Sequence, residues 1–329
     1  MKKVAIVFNG GTISMKVDPR VQAAVPSLSG EEIIAMVTGI EKYANIESYN
    51  FSNVPSPFVT PDDMMKLSKY IKDLLDRDDI SGVVTTHGTD SLEETAYLLD
   101  LTIKSNKPVV VTGAMRSSSE LGYDGPANLS AAICTAISTE ACGKGVLVCL
   151  NGELNSASEV TKANSMSLSA FRSPGFGPLG IVDNNQVIFY RDNLTRHHID
   201  TETIEAKVSL IKCVSGIDSR FIDFCIDQGD KGIVIEGMGR GNVPPKMVDG
   251  IERALNKGIV VVLVSRCFEG RVLDTYGYNG GGKQLRNMGV IFGDNLPGQK
   301  ARIKLMLSLG ATSNAKEIKE IFEKGLYNI

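Results

Sequence analysis

The chain has 329 residues, 35 Lys plus Arg against 38 Asp plus Glu, a net charge of -3, and 43% hydrophobic and 22% charged residues. This is ordinary globular composition, which excludes disorder and fibrous repeats as the main state. The near balance of charge argues against a nucleic-acid partner, whose phosphates call for concentrated Lys and Arg, and the longest apolar runs fall far short of the roughly 20 residues that cross a bilayer.

Taken from the start, MKKVAIVFNGG places two lysines before an apolar stretch, Val4 to Phe8. That stretch is shorter than the roughly 7–15 residues of a secretory signal, so it reads as a first β-strand and a cytoplasmic chain is expected. Gly10-Gly11-Thr12 follows. Two glycines after a strand let the backbone turn tightly and approach a ligand, although taken alone a plain β-turn is the simpler reading. Thr60-Pro61-Asp62-Asp63 opens a helix with a capping hydroxyl, a proline in the first turn and early acids. GVVTTHGTD is a buried strand ending in His87-Gly88-Thr89-Asp90, and Ser91-Leu92-Glu93-Glu94 opens the next helix. A hydroxyl and a carboxylate ahead of a helix N-terminus suit an anionic group; alternatively, Asp90 or Ser91 simply caps the helix. PVVVTGAM and GVLVCLNGEL are further buried strands.

From Arg191 to Glu205 the chain is polar and lacks periodicity, the pattern of a connection. Alternation then resumes: KVSLIKCV, GIVIEG and GIVVVLVS read as strands, KMVDGIERAL and QKARIKLMLSL as helices. Strand–helix alternation of this kind implies an α/β fold with a mostly parallel sheet. We expect a larger doubly wound N-terminal domain over residues 1–190, a linker over 191–207 and a smaller α/β domain over 208–329. In such sheets ligands bind beyond the carboxyl ends of the strands, so the polar segments at 9–14, 86–91, 112–120 and 151–162 are the candidate site.

The six cysteines are scattered with no C-x-x-C pair, and there are three histidines. A metal site and a redox dithiol are therefore not expected. The G-x-x-x-x-G-K at 277–283 is followed by Gln284 and preceded by no strand, so it is not a phosphate loop. No G-x-S-x-G elbow occurs. Lys162 is a candidate base, because a lysine held dry beside a hydroxyl can take its proton; a solvated surface lysine is the plainer alternative.

Together, Gly10-Gly11-Thr12-Ile13, the strand-borne Thr86 to Ser91, EETAYLLDL, KPVVVTGAMR, DGPANL, FRSPGFGPLG and GQKARIKLMLSLG resemble the bacterial-type asparaginase/glutaminase family over nearly the whole chain. The resemblance implies hydrolysis of the side-chain amide of L-asparagine without a cofactor, in a cytoplasmic homodimer or homotetramer. It implies Thr12 as nucleophile, and Thr89, Asp90 and Lys162 as a second polar set. Gly11, Ser56, Gly88, Thr89, Asp90, Ala114 and Asn242 are implied as substrate contacts, Asn242 reaching a neighbouring subunit's site. Two departures stand out. Met15 to Ser29 lacks the tyrosine that hydrogen-bonds the nucleophile in relatives, leaving the activating partner of Thr12 open. Pro57 follows Ser56 where strongly glutamine-active relatives tend to carry a polar residue. The partner-subunit acid of some relatives has no clear counterpart, and Tyr276 or Tyr278 falls in that region. The alternatives are a broad glutaminase-asparaginase, the asparaginase-like subunit of a tRNA-dependent amidotransferase and an amino-acid sensor. The amidotransferase subunit carries a domain before its Gly-Gly-Thr segment, which here starts at residue 10, and a sensor has no need of paired threonines.

Overall fold

The structure is a computed structural model and describes residues 1–193 and 196–324. It divides into two compact units, Met1–His198 and Ile199–Ile329.

The first unit is organised on an eight-stranded sheet. Its parallel part is built from β1 (Lys3–Asn9), β4 (Asn45–Ser52), β5 (Ile80–Thr86), β6 (Val109–Thr112) and β7 (Val146–Leu150), in the order β7-β6-β5-β1-β4. Between β1 and β4 runs a small antiparallel hairpin, β2 (Met15–Asp18) with β3 (Ala23–Pro26). The central strands are apolar on both faces because both are covered. Ala5 and Val7 of β1 pack with Leu67, Ile71, Leu92, Ala96 and Leu99 from α2 (Pro61–Leu75) and α3 (Leu92–Thr102). Val4, Ile6 and Phe8 face Ile33, Leu129 and Ile133 from α1 (Gly30–Ala35) and α4 (Gly125–Ile137). Helix α2 starts as its sequence dictates: Thr60 accepts from Asp63 N, and the Asp63 side chain accepts from Thr60 N, a closed capping box.

GVLVCLNGEL, which reads as one strand, is two. Asn151 takes a positive φ of 52° and Gly152 one of 74°, and the chain turns back as β8 (Glu153–Ser156), antiparallel to β7. An Asn-Gly pair inside an apolar run is the signal of such a hairpin. Beyond it lie the two-strand ribbon β9 (Thr161–Lys162) and β10 (Phe171–Arg172), and then β11 (Gly180–Asp183) and β12 (Gln186–Phe189), which extend the main sheet antiparallel.

In the second unit, β13 (Val208–Lys212), β14 (Gly232–Gly237), β15 (Val260–Ser265) and β16 (Ile291–Phe292) form a parallel sheet in sequence order. Ile222 of α5 (Arg220–Asp227), Ile251 and Ala254 of α6 (Val248–Asn256) and Leu285 of α7 (Gly282–Met288) share a core with Ile233, Ile235, Val261 and Leu263. Helix α8 (Gly298–Ala311) packs on the strands, Leu305 lying against Gly232, and α9 (Ala315–Glu323) follows it. The polar stretch after Ile199 is tied down locally. Thr203 Oγ1 donates to Gly310 O (2.9 Å) and Glu205 N to Met306 O (3.0 Å). Among the described residues no helix is long and apolar enough to cross a membrane, and no cluster of His, Cys, Asp and Glu is arranged to hold a metal ion.

Candidate active site

Strands β1, β5 and β6 are neighbours, and each ends in one of the polar segments singled out by sequence. The loops they feed are fitted to one another through glycine. Gly11 has φ 87°, and a Cβ on it would overlap the Cα and N of Gly88. A Cβ on Gly88 would lie 2.6 Å from Ser56 Cβ and 2.8 Å from its Oγ. Only residues without a Cβ allow these three segments to touch backbone to backbone. The Gly-Gly-Thr turn, the His-Gly-Thr-Asp turn and the Ser56 segment therefore form one continuous surface.

Thr12 begins a 3-10 turn, Thr12–Ser14, whose interior residue Ile13 is fully buried in the core. The turn is held by Ser14, whose N and Oγ both donate to Gly11 O (2.9 Å each) and whose Oγ also lies 2.8 Å from Asn53 Oδ1. The Thr12 hydroxyl makes no hydrogen bond to another described residue and is partly exposed.

The second polar set is in direct contact. Lys162 Nζ donates to Thr89 Oγ1 (2.9 Å) and to Asp90 Oδ1 (2.7 Å). The lysine side chain is 16% exposed and the aspartate 64%, so the amine is set into the wall while the carboxylate faces solvent. Lys162 sits on β9, paired with the buried Phe171. Its backbone N donates to Oε1 of the buried Glu93, in the first turn of α3 (3.3 Å). The amine of Lys162 is thus held by the turn that leads into α3, and its peptide by the first turn of that helix. Because Thr89 Oγ1 accepts from the lysine, its own proton is free to point into the crevice.

The two capping alternatives for Asp90 and Ser91 do not hold. Neither side chain caps α3; Ser91 Oγ donates to Ser56 O (2.9 Å), and Asp90 N donates to Ser56 Oγ (3.2 Å). Ser56, 5% exposed, keeps its hydroxyl proton available. Ala114 is fully buried and follows Gly113, at which a Cβ would lie 2.5 Å from His87 O.

Behind these residues lies a supporting layer whose members fall in the quoted motifs but are assigned no role by the sequence alone. His87 is completely buried; its Nδ1 meets Gly88 O (2.8 Å) and its Nε2 meets Thr95 Oγ1 (2.9 Å). A carbonyl can only accept, so Nδ1 carries the proton and Nε2 accepts from Thr95. Burial pulls the imidazole down to about 4, well below its ordinary value. Asp124 accepts from Met115 N (3.0 Å) and Arg116 N (2.9 Å), and Asn128 Nδ2 donates to Gly113 O (3.0 Å), fixing the loop after β6. The DGPANL stretch contains both residues, but nothing in its spacing points to the loop they hold.

Every contact just described lies in the first unit. Asn242 belongs to the second, where its Oδ1 accepts from Gly282 N (3.3 Å) and its backbone bridges Met238. Tyr276 and Tyr278 pack ring on ring there, 5.7 Å apart, and are 42% and 55% exposed.

The groups on these adjoining turns, an unbonded hydroxyl, a lysine paired with a second hydroxyl and a carboxylate, and a buried serine, are those that acyl transfer uses. The family description "Asparaginase, N-terminal" matches residues 3–195, and "Glutaminase/Asparaginase C-terminal domain" matches residues 207–322. The chain is 38% identical over 310 residues to an L-asparaginase of Bacillus licheniformis, covering 94% of this chain and 96% of that protein. It is 32% identical over 340 residues to a glutaminase-asparaginase of Pseudomonas fluorescens biotype A, covering 98% and 90%. A crystal structure described as a probable cytoplasmic L-asparaginase from Campylobacter jejuni superposes with a TM-score of 0.88 at 35% identity, covering 98% of this chain and 99% of that one.

Proposed function

We propose, from the premise that this chain belongs to the asparaginase/glutaminase family of amidohydrolases, that it hydrolyses L-asparagine to L-aspartate and ammonia. The observation that carries the reading is the Lys162 amine held against Thr89 and Asp90 beside the Gly11–Gly88 contact.

In this reading Thr12 Oγ1 attacks the side-chain carbonyl carbon of the substrate. The C–N bond breaks, the proton lost by Thr12 leaves on the departing nitrogen, and an ester forms on Thr12. Water then attacks the ester, giving up a proton through the Thr89 hydroxyl and Lys162, and Thr12 regains its own proton as aspartate departs. Asp90 receives the substrate α-ammonium and Ser56 donates to its α-carboxylate. The Ala114 carbonyl accepts from the amide nitrogen. The residue types suit these roles, because a hydroxyl is a weak nucleophile without a neighbouring base, and paired charges on a small substrate need one subsite of each sign. Pro57, exposed beside Ser56, has no side-chain donor with which to hold a longer substrate. We further assign the protein to the cytoplasm, which cell fractionation checks.

The test is ammonia release by the purified protein from asparagine, glutamine and their D-forms. One extra methylene in a tight pocket is worth roughly 10–200-fold, so asparagine should exceed glutamine by at least about tenfold in kcat/KM. Thr12→Val should fold normally and lose about three decades or more of kcat. Equal or greater efficiency on glutamine favours the broad glutaminase-asparaginase reading, and near-normal turnover by Thr12→Val refutes the nucleophile.

A further inference from the structure

The 3-10 turn that presents Thr12 is held from one side by its own serine and by Asn53. On the other side it meets the loop after β6. There the Tyr123 hydroxyl donates to Ile13 O at 2.6 Å. Two residues on, Met15 O accepts from both Ser118 N (3.1 Å) and Ser118 Oγ (2.9 Å), and Val17 N donates to Ser119 Oγ (3.0 Å). The loop making these bonds is itself rigid, since Asp124 and Asn128 hold its two ends. Tyr123 packs against the same core that contains Ile13, Ala114 and Leu129.

Resting on the reading of function above, we propose that Tyr123, backed by Ser118, is a positioning residue for Thr12. It never touches the substrate; it fixes the peptide next to the nucleophile by holding the Ile13 carbonyl, and so sets where the Thr12 hydroxyl points. The same loop carries Ala114, so one rigid segment registers the nucleophile against the carbonyl offered to the leaving amide. Burial raises the Tyr123 hydroxyl above its ordinary range, which keeps it a donor at every working pH.

Removing the hydroxyl strands a carbonyl in the interior, and the turn relaxes to find another donor. Misplacing a reacting group by about 1 Å costs on the order of a hundredfold. The groups assigned to substrate binding, Ser56 and Asp90, are held by other bonds and do not move. For Tyr123→Phe in the full-length enzyme we therefore expect kcat lower by about 10- to 100-fold and KM within about threefold. The shape of the pH profile should be unchanged, and amide hydrogen exchange at residues 12–16 faster by at least about tenfold. Ser118→Ala, which keeps its backbone donor, should lower kcat by at least about threefold.

A tyrosine with only a packing role would lower the melting temperature and leave kcat per folded enzyme unchanged; that result for Tyr123→Phe overturns the proposal. If Tyr123→Phe does not fold, unchanged kcat in Ser118→Ala overturns it instead. The assay uses whichever primary amide the wild type hydrolyses fastest. A wild type that hydrolyses none refutes the reading of function, and the positioning role is then judged on the exchange rates alone.

Discussion

At His87 a single side chain ties the acid limit of the fold to the candidate site. The ring is sealed from solvent and committed as a neutral group, donating to Gly88 and accepting from Thr95. A second proton would force the Thr95 hydroxyl to turn and accept, and would charge the interior. The folded imidazole titrates at about 4, while in the unfolded chain it returns to about 6.5. Between those values the unfolded state binds a proton that the folded state refuses, so stability falls as pH drops from about 6.5 to about 4. The contribution lost is on the order of 3 kcal/mol. Denaturant midpoints measured across this window should decline more steeply for wild type than for His87→Gln, which starts from a lower plateau at pH 7. Parallel curves would show that His87 does not titrate as argued.

Among the elements, the turn after β1 is specified by steric exclusion more than by attraction. Gly11 and Gly143 both have positive φ, 87° and 75°, yet a Cβ on Gly11 overlaps the Gly88 backbone while one on Gly143 meets nothing within 4 Å. Gly143→Ala should therefore cost only the backbone strain, about 1 kcal/mol, with full activity. Gly11→Ala should cost more than that and abolish activity, because two backbones cannot both give way. Thermal unfolding and ammonia release on the pair of variants separate the two effects; equal behaviour would contradict the contact. Contacts of this kind mark the boundary of what is legible in the sequence. VAIVF and PVVVT announce buried strands by apolar continuity, and Thr60 to Asp63 announces its helix by capping chemistry. The Asn151-Gly152 turn is legible in principle but masked by the apolar run around it. Lys162 lies on a two-residue strand, too short for any periodicity, so its chemistry makes it a candidate but only the resemblance ties it to Thr89 and Asp90. Glu93 and Tyr123 act through bonds to backbone groups far away in sequence, such as Tyr123 to Ile13, and no spacing rule encodes such a bond.

At the scale of the whole molecule, the proposed site calls for assembly. We propose an intimate homodimer, or a tetramer of such dimers, in which Asn242 completes the site of a neighbouring copy; two-fold symmetry then makes the exchange mutual. Thr12→Val and Asn242→Ala, made separately, should each be nearly inactive. Asn242→Ala also frees the Gly282 N–H at the start of α7, so its folding is to be verified first. Unfolded and refolded together, the two variants should recover activity towards half of wild type per mixed dimer, since one site carries both lesions and the other neither. No recovery in mixed dimers identified by mass spectrometry would show that Asn242 serves its own chain.

The order of strands also fixes a schedule. Gly11 and Gly88 meet as soon as β5 docks beside β1, within the first 90 or so residues of the chain. The lysine that faces Thr89 arrives only with β9, after three more strands have been laid down. During synthesis from the N-terminus the nucleophile turn can therefore exist well before its amine. Under the roles proposed above, the growing chain then holds the Thr12 turn without the amine that moves protons, and should hydrolyse no amide at that stage. Under the same roles, regain of turnover during refolding should lag any optical signal from the central sheet, because it awaits both β9 and the neighbouring copy.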